Sequence, residues 1–166
     1  MEWLTSLNIS WYFILVVAHV FGLVIGLGAC TVTYVIGGIG MINPKIMPGA
    51  TGVFKIISLI VWIGLGILIV SGVLLMILSG DIYGDAIKSK LFYLKMFLIV
   101  VEIINGVFLN IVVTPAMEKA VVLPNFETAP EYRKAQILGG IGGFISASCW
   151  YGAFALGMYI FRVLAG

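Results

Sequence analysis

Charge is what this sequence has least of. Only 10% of its 166 residues are Asp, Glu, Lys or Arg, where a soluble domain carries about a quarter. The net charge of +2 is too small to suggest a nucleic-acid partner, and no basic run is dense enough for a lipid-headgroup patch. No Lys or Arg precedes Lys45. The basic start of a cleavable signal peptide is therefore missing, and the first apolar segment reads as retained. There are two cysteines, Cys30 and Cys149, both inside apolar runs. Structural disulfides belong mostly to small secreted domains, so both read as small apolar packing residues. A single histidine, His19, excludes a two-histidine metal or haem site within one chain. No nucleophile–base pair, nucleotide loop or zinc motif appears. Asn8-Ile9-Ser10 matches a glycosylation sequon, a motif too short and frequent to carry a function.

Apolar residues fill the space that charge leaves. They make up 62% of the chain, mean hydropathy is +1.20, and they come in long runs. A hydrocarbon core about 30 Å thick takes about 20 helical residues to cross. The pattern predicts an all-α integral membrane protein: one transmembrane domain over 1–166, a four-helix up-down bundle with spans near 11–42, 56–79, 91–113 and 137–164. Asn43-Pro44 should end the first span, because the residue before proline resists helical geometry. Residues 44–53 should form a short loop, Gly80-Asp81 should close the second span, and Thr114-Pro115 should stop the third. Residues 116–136 should lie outside the membrane as a loop, with Thr128 to Glu131 as a capping box that starts a short helix running into the fourth span. Lys45, Lys55, Lys119, Arg133 and Lys134 fall on one side, and Lys88, Lys90 and Arg162 on the other. That bias favours a cell-membrane protein with both termini outside.

Small residues recur at three- and four-residue steps on two spans: His19, Gly22, Gly26, Cys30, Thr33 and Gly37 on the first, and Gly139, Gly143, Ser146, Cys149 or Trp150, Ala153 and Gly157 on the fourth. Such faces let helix backbones approach in lipid. Both should point into the bundle.

Ionisable groups inside a bilayer are costly and mark function or a buried partner. His19, Lys95 and Glu102 qualify, and Asn105 shares a helix face with the last two. Counted in from the helix ends at about 1.5 Å per residue, His19 lies in depth between Lys95 and Glu102, level with Ser71 and with the fourth span near Leu156 and Tyr159. One bundle-interior site is expected, with Lys95 and Glu102 as its reactive pair. An isolated carboxylate at that depth takes up a proton or pairs with Lys95. Trp150 and Tyr151 lie too deep for an interfacial aromatic belt and are either core filling or a cofactor wall. His19 is the candidate metal ligand, since a lone histidine suits haem iron. A symmetric dimer or a larger membrane complex would supply a second one.

Ala18-His19-Val20-Phe21 ahead of a glycine-rich first span, with Lys95 opening the third in Leu94-Lys95-Met96-Phe97-Leu98-Ile99-Val100, resembles the four-helix membrane superfamily of the HemJ-type protoporphyrinogen oxidases and CopD-like copper-resistance proteins. The resemblance implies haem b held by His19, with Lys95 handling a propionate or an anionic substrate. The oxidases carry a further histidine on the third helix. Asn105 stands near that place here and points to a diverged relative. Three functions follow as expectations: a haem-associated redox protein, a proton- or metal-coupled transport component that uses His19, Lys95 and Glu102 as a relay, or a non-catalytic subunit whose polar layer fixes helix register.

Overall fold

The computed structural model describes residues 11–78 and 89–165. The sequon, the Gly80-Asp81 turn, Lys88 and both extreme termini lie outside them. Among the described residues the chain is helical, with no strand. Helix α1 spans Trp11–Ile42, α2 Met47–Leu78, α3 Lys90–Phe108, α4 Thr114–Ala120 and α5 Pro130–Ala165. Four helical stretches, Trp11–Ile42, Pro44–Leu78, Lys90–Ala120 and Pro130–Ile160, are long and apolar enough to cross a membrane.

Contacts between helices fix the arrangement. His19 meets Ser71 and Gly22 meets Gly64, so α1 and α2 are antiparallel. Glu102 meets Ser146 and Trp150 while Lys95 lies beside Gly157, so α3 and α5 are antiparallel. Cys30 meets Ser146 across α1 and α5, and Trp62 meets Gly106 across α2 and α3. The four long stretches form an up-down ring.

Two local features depart from the sequence expectation. First, Asn43-Pro44 does end α1 at Ile42, but no loop follows. Pro44–Ile46 form one tight 3₁₀ turn and α2 begins at Met47. Pro48 sits in the first turn, where its missing N–H would have had no helical partner anyway. Second, Pro115 does not stop the third stretch. Residues Leu109–Val113 form a π-helical turn, and the helix resumes as α4. A π turn re-registers the ladder by one residue, which accommodates the donor that proline lacks.

Within 116–136 the helix expected to run into the fourth span is present and starts at Pro130, and α4 adds helix at Thr114–Ala120, because the apolar side chains here have somewhere to go. Met47, Ala50, Met117, Ala120, Val121, Tyr132 and Ala135 form a buried cluster that caps one end of the bundle. Phe126 meets Tyr132 edge-on at 5.1 Å. Asn125 turns the chain in a left-handed conformation, φ 52°, which asparagine tolerates. Thr128 donates to the Asn125 carbonyl and sits in a 3₁₀ turn instead of capping α5, which starts at Pro130. Lys55 and Glu118 pair at 2.8 Å on the surface of this end. A second cluster, Cys30, Leu65 and Trp150 with Leu23, Leu27, Trp62 and Ile103, fills the middle of the bundle.

Candidate functional site: a buried carboxylate over a glycine-walled cavity

Between these two apolar clusters the helices are joined by few contacts. They enclose a cavity of about 340 Å³. Gly37, Gly38, Gly139, Gly140 and Gly143 form much of the wall between α1 and α5, and Ser58, Asn110, Thr51 and Gln136 supply polar atoms. Glu102 and Ser146 line it where it abuts the central cluster, and Met47, Phe54 and Met117 line it at the cap. The space exists because side chains are missing. A methyl group built on Gly37 or Gly38 meets nothing within 4 Å. On Gly143 its nearest neighbour would be the Tyr34 ring at 3.9 Å.

Glu102 is 5% exposed. Oε1 accepts from the Ser146 hydroxyl at 2.6 Å and from the Trp150 indole N–H at 3.0 Å. The Cys30 thiol donates in turn to Ser146 at 3.5 Å. Oε2 is buried and has no partner. A buried polar atom left unpaired costs about 1–3 kcal/mol, and more when the group is charged. This carboxylate is thus held firmly by one oxygen and left unsatisfied at the other, in a residue that lines the cavity.

The turn of π-helix places a second polar pair on the cavity. Asn110 donates to the Gly106 carbonyl at 2.9 Å and accepts from Ser58 at 2.8 Å. Gln136 donates to the Gly40 carbonyl at 3.4 Å. Neither pair was singled out in the sequence, although Ser58 and Asn110 are polar residues inside apolar runs and could have been found by the same test that picked Glu102.

The expected single polar layer is two layers. His19 Nδ1 lies 3.0 Å from Ser71 Oγ. The Ser71 hydroxyl directs its one proton to the Ile67 and Leu68 carbonyls, so His19 donates from Nδ1 and Nε2 keeps the lone pair. Lys95 is close enough to His19 to act on it electrostatically, and a methyl on Gly157 would stand 3.6 Å from its ammonium. Glu102 lies seven residues further along α3, about 10 Å. Among the described residues no ion pair joins Lys95 to Glu102, and the expected pairing is corrected accordingly: seven residues are two helical turns, too long a reach for facing side chains.

Of the other candidates, Asn105 is buried and donates to the Gly142 carbonyl at 2.9 Å. Trp150 is buried as the donor to Glu102, while Tyr151 is exposed on the outer side and shares a 2.9 Å bond with Thr31. These residues do not surround a common space. The cavity at Glu102 is lined by neither His19 nor Lys95, and Asn105 Nδ2 and the Trp150 indole N–H are already committed. Among the described residues no cluster of three His, Cys, Asp or Glu has the arrangement of a metal site. No protein-family model, no curated protein and no solved structure matches the chain.

Proposed function

We propose that this chain is an integral membrane protein that works as a proton-coupled transport component, with Glu102 as the group that gives and takes the proton. The carrying observation is the unpartnered, buried Oε2 of Glu102 at the cavity wall. A buried charge needs a partner, and a buried neutral acid needs an acceptor for its proton. A carboxyl with two fixed donors on one oxygen and no partner on the other alternates between those conditions when a partner arrives or leaves. His19, beside Ser71 in the second polar layer, is the next proton-accepting station.

Several features support the membrane setting. Val24, Leu59, Ile104 and Phe144 present apolar surface outward, one from each long helix. At about 1.5 Å per residue, each stretch exceeds a hydrocarbon core of about 30 Å. Lys45, Lys55, Lys119, Arg133 and Lys134 gather at the capped end, which favours that end as cytoplasmic and both termini as outside in a cell membrane. The transport reading is favoured over a haem protein or a register-fixing subunit because Glu102, and not His19, is among the residues that line this cavity.

The test is proton flux into liposomes holding purified protein under an imposed membrane potential. Wild-type protein should carry protons, Glu102→Gln should abolish the flux and His19→Phe should slow it. Flux in Glu102→Gln equal to wild type would overturn the proposal.

A further inference from the structure

The cavity is too large and too apolar for a bare proton or a metal ion. Its 340 Å³ would hold roughly eleven waters at about 30 Å³ each and falls within the range of small-molecule sites, about 300–1,000 Å³. Its walls are mostly glycine backbone, Met, Phe, Val and Leu, with a single ionisable acid, Glu102, at one end. One carboxylate and no cluster of three metal-ligating side chains among the described residues is a poor donor set for a divalent cation, which takes several ligands. It suits one ammonium group with an apolar body.

We infer that the cavity binds a small organic monoamine, its ammonium donating to Glu102 Oε2 and its apolar body lying along the Gly37, Gly38 and Gly143 wall. Binding replaces the proton of the Glu102 carboxyl: the acid O–H breaks, the proton leaves to water, and an ammonium N–H takes its place on Oε2. That exchange gives the proton coupling a physical basis, because a proton and the ammonium compete for one oxygen. Oε1 stays anchored by Ser146 and Trp150 throughout, so the acceptor does not swing away when its partner changes.

Entry is from the side. Tyr34 and Met41 line the cavity and are also half exposed on the outer face, 51% each. They lie over Gly143 and Gly140 respectively, on the facing helix. These two side chains, laid over glycine, stand between the cavity and the outer surface along the α1–α5 seam. An amine with an apolar body partitions into the bilayer interface and reaches this seam from there.

This inference rests on the transport reading of Glu102 and deepens it. Calorimetry with purified full-length protein in detergent tests it, using 2-phenylethylamine as the probe and 2-phenylethanol, which has the same body without the charge, as its neutral counterpart. The amine should bind and release a proton, seen as a dependence of the heat on the buffer's ionisation enthalpy, and the alcohol should bind at least tenfold more weakly. Glu102→Gln should weaken amine binding at least tenfold and end the proton release. Gly143→Leu should abolish binding by filling the cavity, with thermal stability kept. Equal binding of the alcohol, unchanged binding by Glu102→Gln, or unchanged binding by Gly143→Leu would each overturn the inference. No amine binding in protein that still carries Glu102-dependent proton flux would overturn the amine and leave the transport reading standing. Absence of both signals would remove both.

Discussion

Two groups of glycine in this bundle look alike in sequence and do opposite things. Gly22, Gly26 and Gly64 are contact glycines. A methyl on Gly64 would stand 2.6 Å from the Gly26 nitrogen and 2.9 Å from the Gly22 oxygen, and one on Gly26 would overlap the Trp150 ring. There the backbones of α1 and α2 touch, as small residues allow in lipid. Gly37, Gly38 and Gly143 are space glycines. Nothing comes close enough to touch them, or only an aromatic edge at ordinary distance. The first group closes the bundle around its central cluster and the second leaves the cavity beside Glu102. A glycine stripe therefore reports where a helix can be approached, and only its surroundings decide whether anything comes near.

The comparison predicts unequal costs for the same substitution. Gly26→Leu or Gly64→Leu forces backbones apart and should destabilise the protein by about 3 kcal/mol, the upper part of the overpacking range. A thermal melt in detergent equal to wild type would mean the α1–α2 contact is not close. Trp150→Phe comes next. It removes one of the two donors to Glu102 Oε1 and the outer indole edge that lies on Gly26, so the loss should be about 2 kcal/mol. Gly37→Leu and Gly143→Leu should change stability by no more than about 1 kcal/mol, towards stabilisation, since both leave an empty position for a better helix former. A large destabilisation there would break the distinction between the two glycine groups. Smallest is Lys55→Ala. Its pair with Glu118 is exposed, and such pairs contribute less than about 1 kcal/mol.

Much of this was legible in the sequence, for physical reasons that also explain the gaps. The length and apolarity of the runs predict four long helices, and Asn43-Pro44 marks the end of α1 where the structure has it. The small-residue face of α1 shows where α2 can approach. Proline misleads at Pro115, because its effect depends on whether the ladder can slip by one residue, and the π turn at Leu109–Val113 lets it. Residues 116–136 misled through composition. Their polar residues suggested a loop, but Tyr132, Met117 and Val121 bury together with Met47, and tertiary burial outweighs local preference. Depth counting put Ser71 and the Gly157 region of α5 at the level of His19 and Lys95, because helical rise is constant. It merged Glu102 into that layer because an error of one helical turn, about 5 Å, at each of two helix ends adds up to the separation being judged. The partners of Glu102 were individually visible as Ser146 and Trp150, but their convergence depends on the α3–α5 register, which periodicity within one helix does not fix.

The central claim is that Glu102 exchanges a proton at the cavity wall. Infrared difference spectroscopy on protein in lipid, titrated between acid and alkaline pH, reads that carboxyl directly through its protonated C=O stretch. The account predicts a protonated-carboxyl band that appears at low pH, disappears at high pH and is missing from Glu102→Gln at every pH, with 2-phenylethylamine removing it at intermediate pH. A Glu102 band that stays constant across the whole titration, or a titrating band that survives in Glu102→Gln, would contradict it.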